Sequence, residues 1–91
     1  MASQPYRSTP VFDEITLPAA LRADHRTKAG TWGVIHVLEG ELRLTYVDPL
    51  SSVLLSPGSP GLVLPGQTHF VTPVGPMRMR VDFHAEAPEL P

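Results

Sequence analysis

Hydrophobic and polar residues alternate along most of this chain, and proline or glycine interrupts the alternation at short intervals. Thr31 to Leu38 is a nearly continuous apolar run, the pattern of a strand covered on both faces. Glu39-Gly40-Glu41 reads as a tight turn, with Gly40 supplying a positive φ. In the partner segment, 42–47, Leu42, Leu44 and Tyr46 share one face. Further short strands are predicted over 52–55, 62–64 and 68–72, separated by the loop 56–61 and the turn Pro65-Gly66-Gln67. The last strand, 77–84, places Met77, Met79, Val81 and Phe83 on one face, with Arg78, Arg80, Asp82 and His84 on the other. Earlier in the chain, 10–16 reads as an extended edge segment opened by a proline that cannot donate to a ladder. Residues 17–22 have some helical propensity. Beyond them, Leu21, Ala23 and His25 alternate with Arg22, Asp24 and Arg26, which predicts a strand.

About seven short strands with turn signals between them predict one all-β domain, a sandwich or barrel, over residues 9–84. Loose tails are expected at 1–8 and 85–91. Nothing repeats at a fixed period, which excludes a solenoid or propeller.

Composition narrows the function. The 91 residues suffice for one domain with a thin core. Eleven prolines and seven glycines could signal disorder, but an apolar fraction of 42% that alternates argues for a folded chain. The absence of cysteine removes disulfides, thiolate nucleophiles and zinc fingers. Extra stability must come from packing, a bound metal or a partner subunit. Lys+Arg number 7 against Asp+Glu 9, with no basic stretch, so no nucleic-acid partner is expected. No apolar run approaches the ~20 residues that span a bilayer, and residues 1–7 lack a hydrophobic signal region. The expectation is a cytoplasmic protein with no membrane partner.

Two segments carry a family likeness. Val37-Leu38-Glu39-Gly40-Glu41-Leu42 resembles the close of the first cupin motif, and Pro65-Gly66-Gln67-Thr68-His69 resembles the second, where a proline–glycine turn presents a metal-binding histidine. More narrowly, His25-Arg26-Thr27-Lys28-Ala29-Gly30-Thr31-Trp32-Gly33 together with Val81-Asp82-Phe83 resembles a small cupin family. That family includes the N-terminal domain of the tellurite-resistance protein TehB and the stand-alone protein YeaR. The resemblance implies a single-domain cupin-type double-stranded β-helix, a jelly-roll barrel. It also implies that His25 and His69 hold a divalent metal such as zinc, iron, nickel or manganese. The chain departs from the usual cupin pattern at two places. Thr27 stands where a second histidine is expected, and Gly33, seven residues before Gly40, stands where a glutamate is expected.

His25 shares a predicted face with Leu21 and Ala23, which points it inward, and His69 follows the Pro65-Gly66 turn on another strand. The plain alternative for each is a half-buried histidine bonded to backbone. Asp82 is the best third ligand, because a strand aspartate is costly to bury unless it is paired or metal-bound; two histidines and a carboxylate would leave open coordination positions. The plain alternative is a salt bridge from Asp82 to Arg78, Arg80, Arg43 or Lys28. His36 faces away from the interior by parity, His84 is expected to be solvated, and core packing is the default for Trp32 and Tyr46. Lys28 could steer an anion to the barrel mouth, although a solvated loop lysine is the default. No serine has a base beside it, and no catalytic residue is assigned.

Three functions are open at this point. The first is a cytoplasmic module that binds a metal ion and a small molecule or anion, with a tellurite or oxidative-stress role implied by the resemblance. The second is a metal-dependent enzyme acting on a small substrate. The third is a metal-free ligand-binding or interaction barrel, a homodimer with Val34 to Leu38 and His36 at its seam.

Overall fold

The computed structural model describes residues 4–89, so the ends of both expected tails, 1–3 and 90–91, lie outside the described residues. The described chain forms eight strands: β1 (Arg7–Ser8), β2 (Phe12–Asp13), β3 (Trp32–Glu39), β4 (Leu42–Tyr46), β5 (Ser51–Leu55), β6 (Gly61–Val63), β7 (His69–Pro73) and β8 (Arg78–His84). Every pairing is antiparallel. One sheet runs β1-β8-β3-β6, with β2 also paired to β8; the other runs β5-β4-β7. The domain is therefore all-β, and its described residues include a single 3-10 turn and no α-helix.

Period-two alternation decides which side chains meet between the sheets. Opposed pairs Ile35 with Val81 and Val37 with Met79 turn one face of the first sheet inward. Leu42 with Leu55 and Leu44 with Val71 do the same for the second. These residues, with Leu17, Val63 and Met77, form the core. Leu42, Leu44 and Met79 are fully buried. Each such side chain contributes about 1.5–3 kcal/mol by leaving water. Val34 is equally buried but stands outside this core cluster, on the other face of β3.

Two glycines are required by this packing. Gly40 turns β3 into β4 with φ +73, and a side chain there would collide with the Pro76 carbonyl. A Cβ on Gly61 would lie 2.8 Å from both Leu44 Cδ2 and Leu55 Cδ1, so β6 can sit over those leucines only without a side chain.

One local expectation is corrected. The segment from Leu21 to Arg26 is not a strand. Pro18 opens a 3-10 turn over Ala19–Arg22, closed by Leu21 N donating to Pro18 O at 3.0 Å. Ala23 and Asp24 are exposed, and only His25 bridges to a neighbour. Alternation alone does not make a strand where only one residue of the segment pairs with a neighbour. At the start of the described chain, backbone hydrogen bonds join Tyr6 and Thr9 to β8. Tyr6 N donates to Phe83 O and Thr9 N to Val81 O, both at 2.9 Å, and these bonds satisfy the free side of β8.

Candidate functional site

The two histidines singled out from sequence meet. His25 N donates to His69 O at 2.9 Å and His69 N to His25 O at 2.8 Å, an antiparallel bridge that extends the β5-β4-β7 sheet by one residue. Residues so opposed project to the same side. That side is inward, because His69 opposes Tyr46 in the register that also opposes Val71 to Leu44. The two rings lie with centroids 4.1 Å apart and planes inclined at 55°.

Each ring is oriented by its own chain. His25 Nδ1 lies 2.9 Å from Ala23 O, and His69 Nδ1 lies 2.8 Å from Gln67 O. A carbonyl only accepts, so Nδ1 carries a proton in both rings. Burial pushes the His69 pKa down, and His25 adds to this against the Gln67 bond, which raises it. The His69 imidazole is therefore neutral at pH 7. A backbone carbonyl holding Nδ1–H is the arrangement that orients histidines which ligate through Nε2.

The pair borders a cavity of about 160 Å3 whose wall includes Ile35, Val63, Val71, Met79, Val81 and Phe83. Thr27 and Gly33 line the same cavity. Thr27 Oγ1 donates to Thr31 O at 2.8 Å and accepts from Gly66 N at 3.4 Å, which ties the loop before β3 to the Pro65-Gly66 turn.

Asp82 does not join the pair. It follows Val81 on β8, and adjacent strand residues point to opposite faces, so an inward Val81 makes Asp82 outward. There its carboxylate accepts from Ser8 Oγ at 2.7 Å, from Arg80 Nε at 3.2 Å and from His36 Nε2 at 3.1 Å. The Arg80 contact is the alternative reading of Asp82. Burial raises the Asp82 pKa, but the bonds from Ser8 and Arg80 and the charges of Arg80 and His36 together outweigh it and hold the pKa below the usual carboxylate value. His36 faces outward as its parity implies. Burial, with the charges of Arg80 and His84, lowers its pKa against the raising effect of Asp82, so at pH 7 a neutral imidazole donates to the carboxylate. His84, expected to be solvated, is buried.

The donor set that converges at the cavity is thus two imidazoles and no carboxylate. Among the described residues, no group of three or more histidine, aspartate or glutamate side chains is placed to hold a metal ion. The set suits a cation that accepts imidazole nitrogen and completes its shell from solvent or ligand; it does not suit one that demands carboxylate oxygens. Sequence reasoning passed over Ser8 and Arg7, which it had assigned to a loose tail. No helix among the described residues is long and apolar enough to cross a membrane.

Two antiparallel sheets around an apolar cavity bordered by a bridged histidine pair define a small all-β domain. Residues 7–81 match the TehB-like domain family, and the chain belongs to it. Over 38 residues it is 42% identical to the probable S-adenosyl-L-methionine-dependent methyltransferase TehB of Haemophilus influenzae, a match covering 42% of this chain and 13% of the relative. The crystal structure of TehB from Haemophilus influenzae superposes with a TM-score of 0.81 at 26% identity, over 90% of this chain and 31% of that one. The chain thus spans about a third of TehB or less. A crystal structure of a protein from Escherichia coli K12 has the same fold, with a TM-score of 0.82 at 22% identity over 97% of this chain and 94% of the other.

Proposed function

We propose that this TehB-like domain is a cupin-type barrel that binds a small molecule in its cavity beside a divalent metal held by His25 and His69. One observation carries the reading. The four positions that the cupin motifs single out, His25, Thr27, Gly33 and His69, all border one cavity. Two of them retain imidazoles, each with Nδ1 fixed by a carbonyl and Nε2 available. With nitrogen donors and no carboxylate, zinc, nickel or iron fits better than manganese. Two protein ligands leave the remaining positions to water or to the bound molecule. A cytoplasmic role in the response to tellurite or oxidative stress belongs to this reading through the family resemblance alone.

The test is metal content by inductively coupled plasma mass spectrometry on untagged protein, beside a His25→Ala/His69→Ala variant. Near-stoichiometric metal in the parent, lost in the variant, supports the site. Equal metal in both, or none in either after incubation with zinc, nickel, iron and manganese, rejects it. The second reading is then a metal-free binding pocket, favoured by the mainly aliphatic lining of the cavity.

A further inference from the structure

The wall of the cavity continues outward. Thr27 and Phe83 border the histidine cavity on one side and a second, open recess on the other. The second recess is lined also by Tyr6, Arg7, Lys28 and Thr31. Its rim is braced, since Tyr6 Oη and Thr31 Oγ1 share a hydrogen bond of 3.2 Å and Thr27 Oγ1 donates to Thr31 O.

The charges here are one-sided. Arg7 and Lys28 line the recess, Arg26 lines the cavity, and no acidic residue lines either. These are three of the seven Lys and Arg in a chain of net charge -2. Among the described residues the ion pairs all involve Asp82, so none of the three cations is neutralised by a carboxylate. Acidic side chains gather elsewhere: Asp13, Glu14 and Glu39 line a separate recess with Arg78. Unpaired cations beside hydroxyl donors attract an anion, and the adjoining cavity, away from Arg26 and the histidine pair, adds a mainly apolar wall.

We propose that the two recesses form one bipartite site for a small amphipathic carboxylate. The carboxylate lies at Arg7 and Lys28 under the Tyr6 and Thr31 hydroxyls. The apolar body enters between Phe83 and Thr27 and packs on Val63, Val71 and Val81. An apolar cavity of about 150 Å3 accommodates benzene, and this one measures about 160 Å3. The body is therefore a single aromatic ring or a short branched alkyl group. This names the ligand class for the cavity of the proposed function and rests on that reading only in taking the cavity as a binding site; it does not require the metal.

The experiment is a chemical-shift titration of ¹⁵N-labelled, chelator-treated protein with benzoate and isovalerate, using benzyl alcohol as the uncharged comparator. It is repeated on Arg7→Gln/Lys28→Gln, whose altered side chains are exposed. We expect benzoate to shift the amides around Val63, Val71 and Val81 and to bind at least ~5-fold tighter than benzyl alcohol. The variant should lose about tenfold in benzoate affinity while binding benzyl alcohol within about twofold of the parent. The proposal is overturned if neither carboxylate binds, if benzyl alcohol matches benzoate, or if the variant keeps its benzoate affinity. Metal content measured on the same two proteins separates the readings. Charge-dependent benzoate binding without metal uptake sinks the metal and keeps this site, whereas metal uptake with no preference for the carboxylates does the reverse.

Discussion

His25 and His69 exchange both of their backbone hydrogen bonds across an isolated bridge and carry their rings 4.1 Å apart. The main chain therefore sets the distance between the imidazoles, and neither ring is needed to hold the other in place. His25→Ala and His69→Ala should each retain the far-ultraviolet circular dichroism of the parent. Each should lose at least ~10-fold in zinc affinity, about 1.4 kcal/mol, measured by competition with a chromophoric chelator. Parent-like zinc binding in both would show that the imidazoles are not ligands.

Gly33 offers a gain-of-function test. It lines the cavity, and a Cβ there would meet Val63 Cβ at 3.6 Å, an ordinary contact. Gly33→Glu should therefore be tolerated and bring a carboxylate to the histidine pair. Zinc affinity should rise by about tenfold or more, as expected for one added charged ligand. An unchanged affinity in a folded variant would mean that the pair does not receive metal.

Asp82 is predicted to matter for stability alone. Asp82→Ala leaves Arg80, His36 and Ser8 without their shared acceptor, at a cost of about 1–3 kcal/mol. In a domain of this size that lowers Tm by about 4–8 °C per kcal/mol. Metal content should match the parent. A large loss of metal without a loss of stability would return Asp82 to the ligand set.

The same cluster sets a pH dependence. The His36 pKa lies below its ordinary 6.5, so between the two values the unfolded chain takes up a proton that the folded chain refuses. Its contribution is complete above about pH 6.5 and declines as the pH falls through that window. The Asp82 pKa lies below 3.8, so its contribution persists above that value and is lost in stronger acid. The groups facing His36 are Asp82, Arg80 and His84. Urea midpoints of metal-free protein should fall from pH 7 to pH 5, and less steeply in His36→Gln. The buried His69, whose pKa is also lowered, contributes to the slope that remains.

Gly61→Ala should cost about 1–3 kcal/mol by overpacking, because the new methyl meets two buried leucine side chains at 2.8 Å. A neutral result in a urea titration would mean that Leu44 and Leu55 can yield.

Much of the fold was legible in the sequence because strand parity is a local property. The apolar positions of 42, 44, 77, 79 and 81 are core residues, and the Gly40 turn has the positive φ expected of it. The histidine pair was legible through its motifs. Parity had already placed Asp82 on the face opposite Val81, and the cost of burying a carboxylate left a metal or a salt bridge open; the structure surrounds it with three hydrogen-bond donors, Arg80 among them. One of those donors, Ser8, belongs to a segment that looks featureless in sequence and is ordered only by β8, more than seventy residues away. No local pattern encodes such a contact. Lys28 was weighed in sequence as a cation that could steer an anion, but its place beside Arg7 was hidden for the same reason.

The position of β8 also bears on biosynthesis. It is the last strand in chain order, yet it pairs with β1, β2 and β3. On the ribosome the first two strands must wait, without their hydrogen-bonding partner, until residues 78–84 have emerged. Pairings of such long sequence separation form slowly, and the waiting strands carry unpaired edges meanwhile. The nascent domain is thus exposed to aggregation until β8 emerges, and the β3–β6, β4–β5 and β4–β7 pairings, complete by residue 73, are the ones that can form ahead of it.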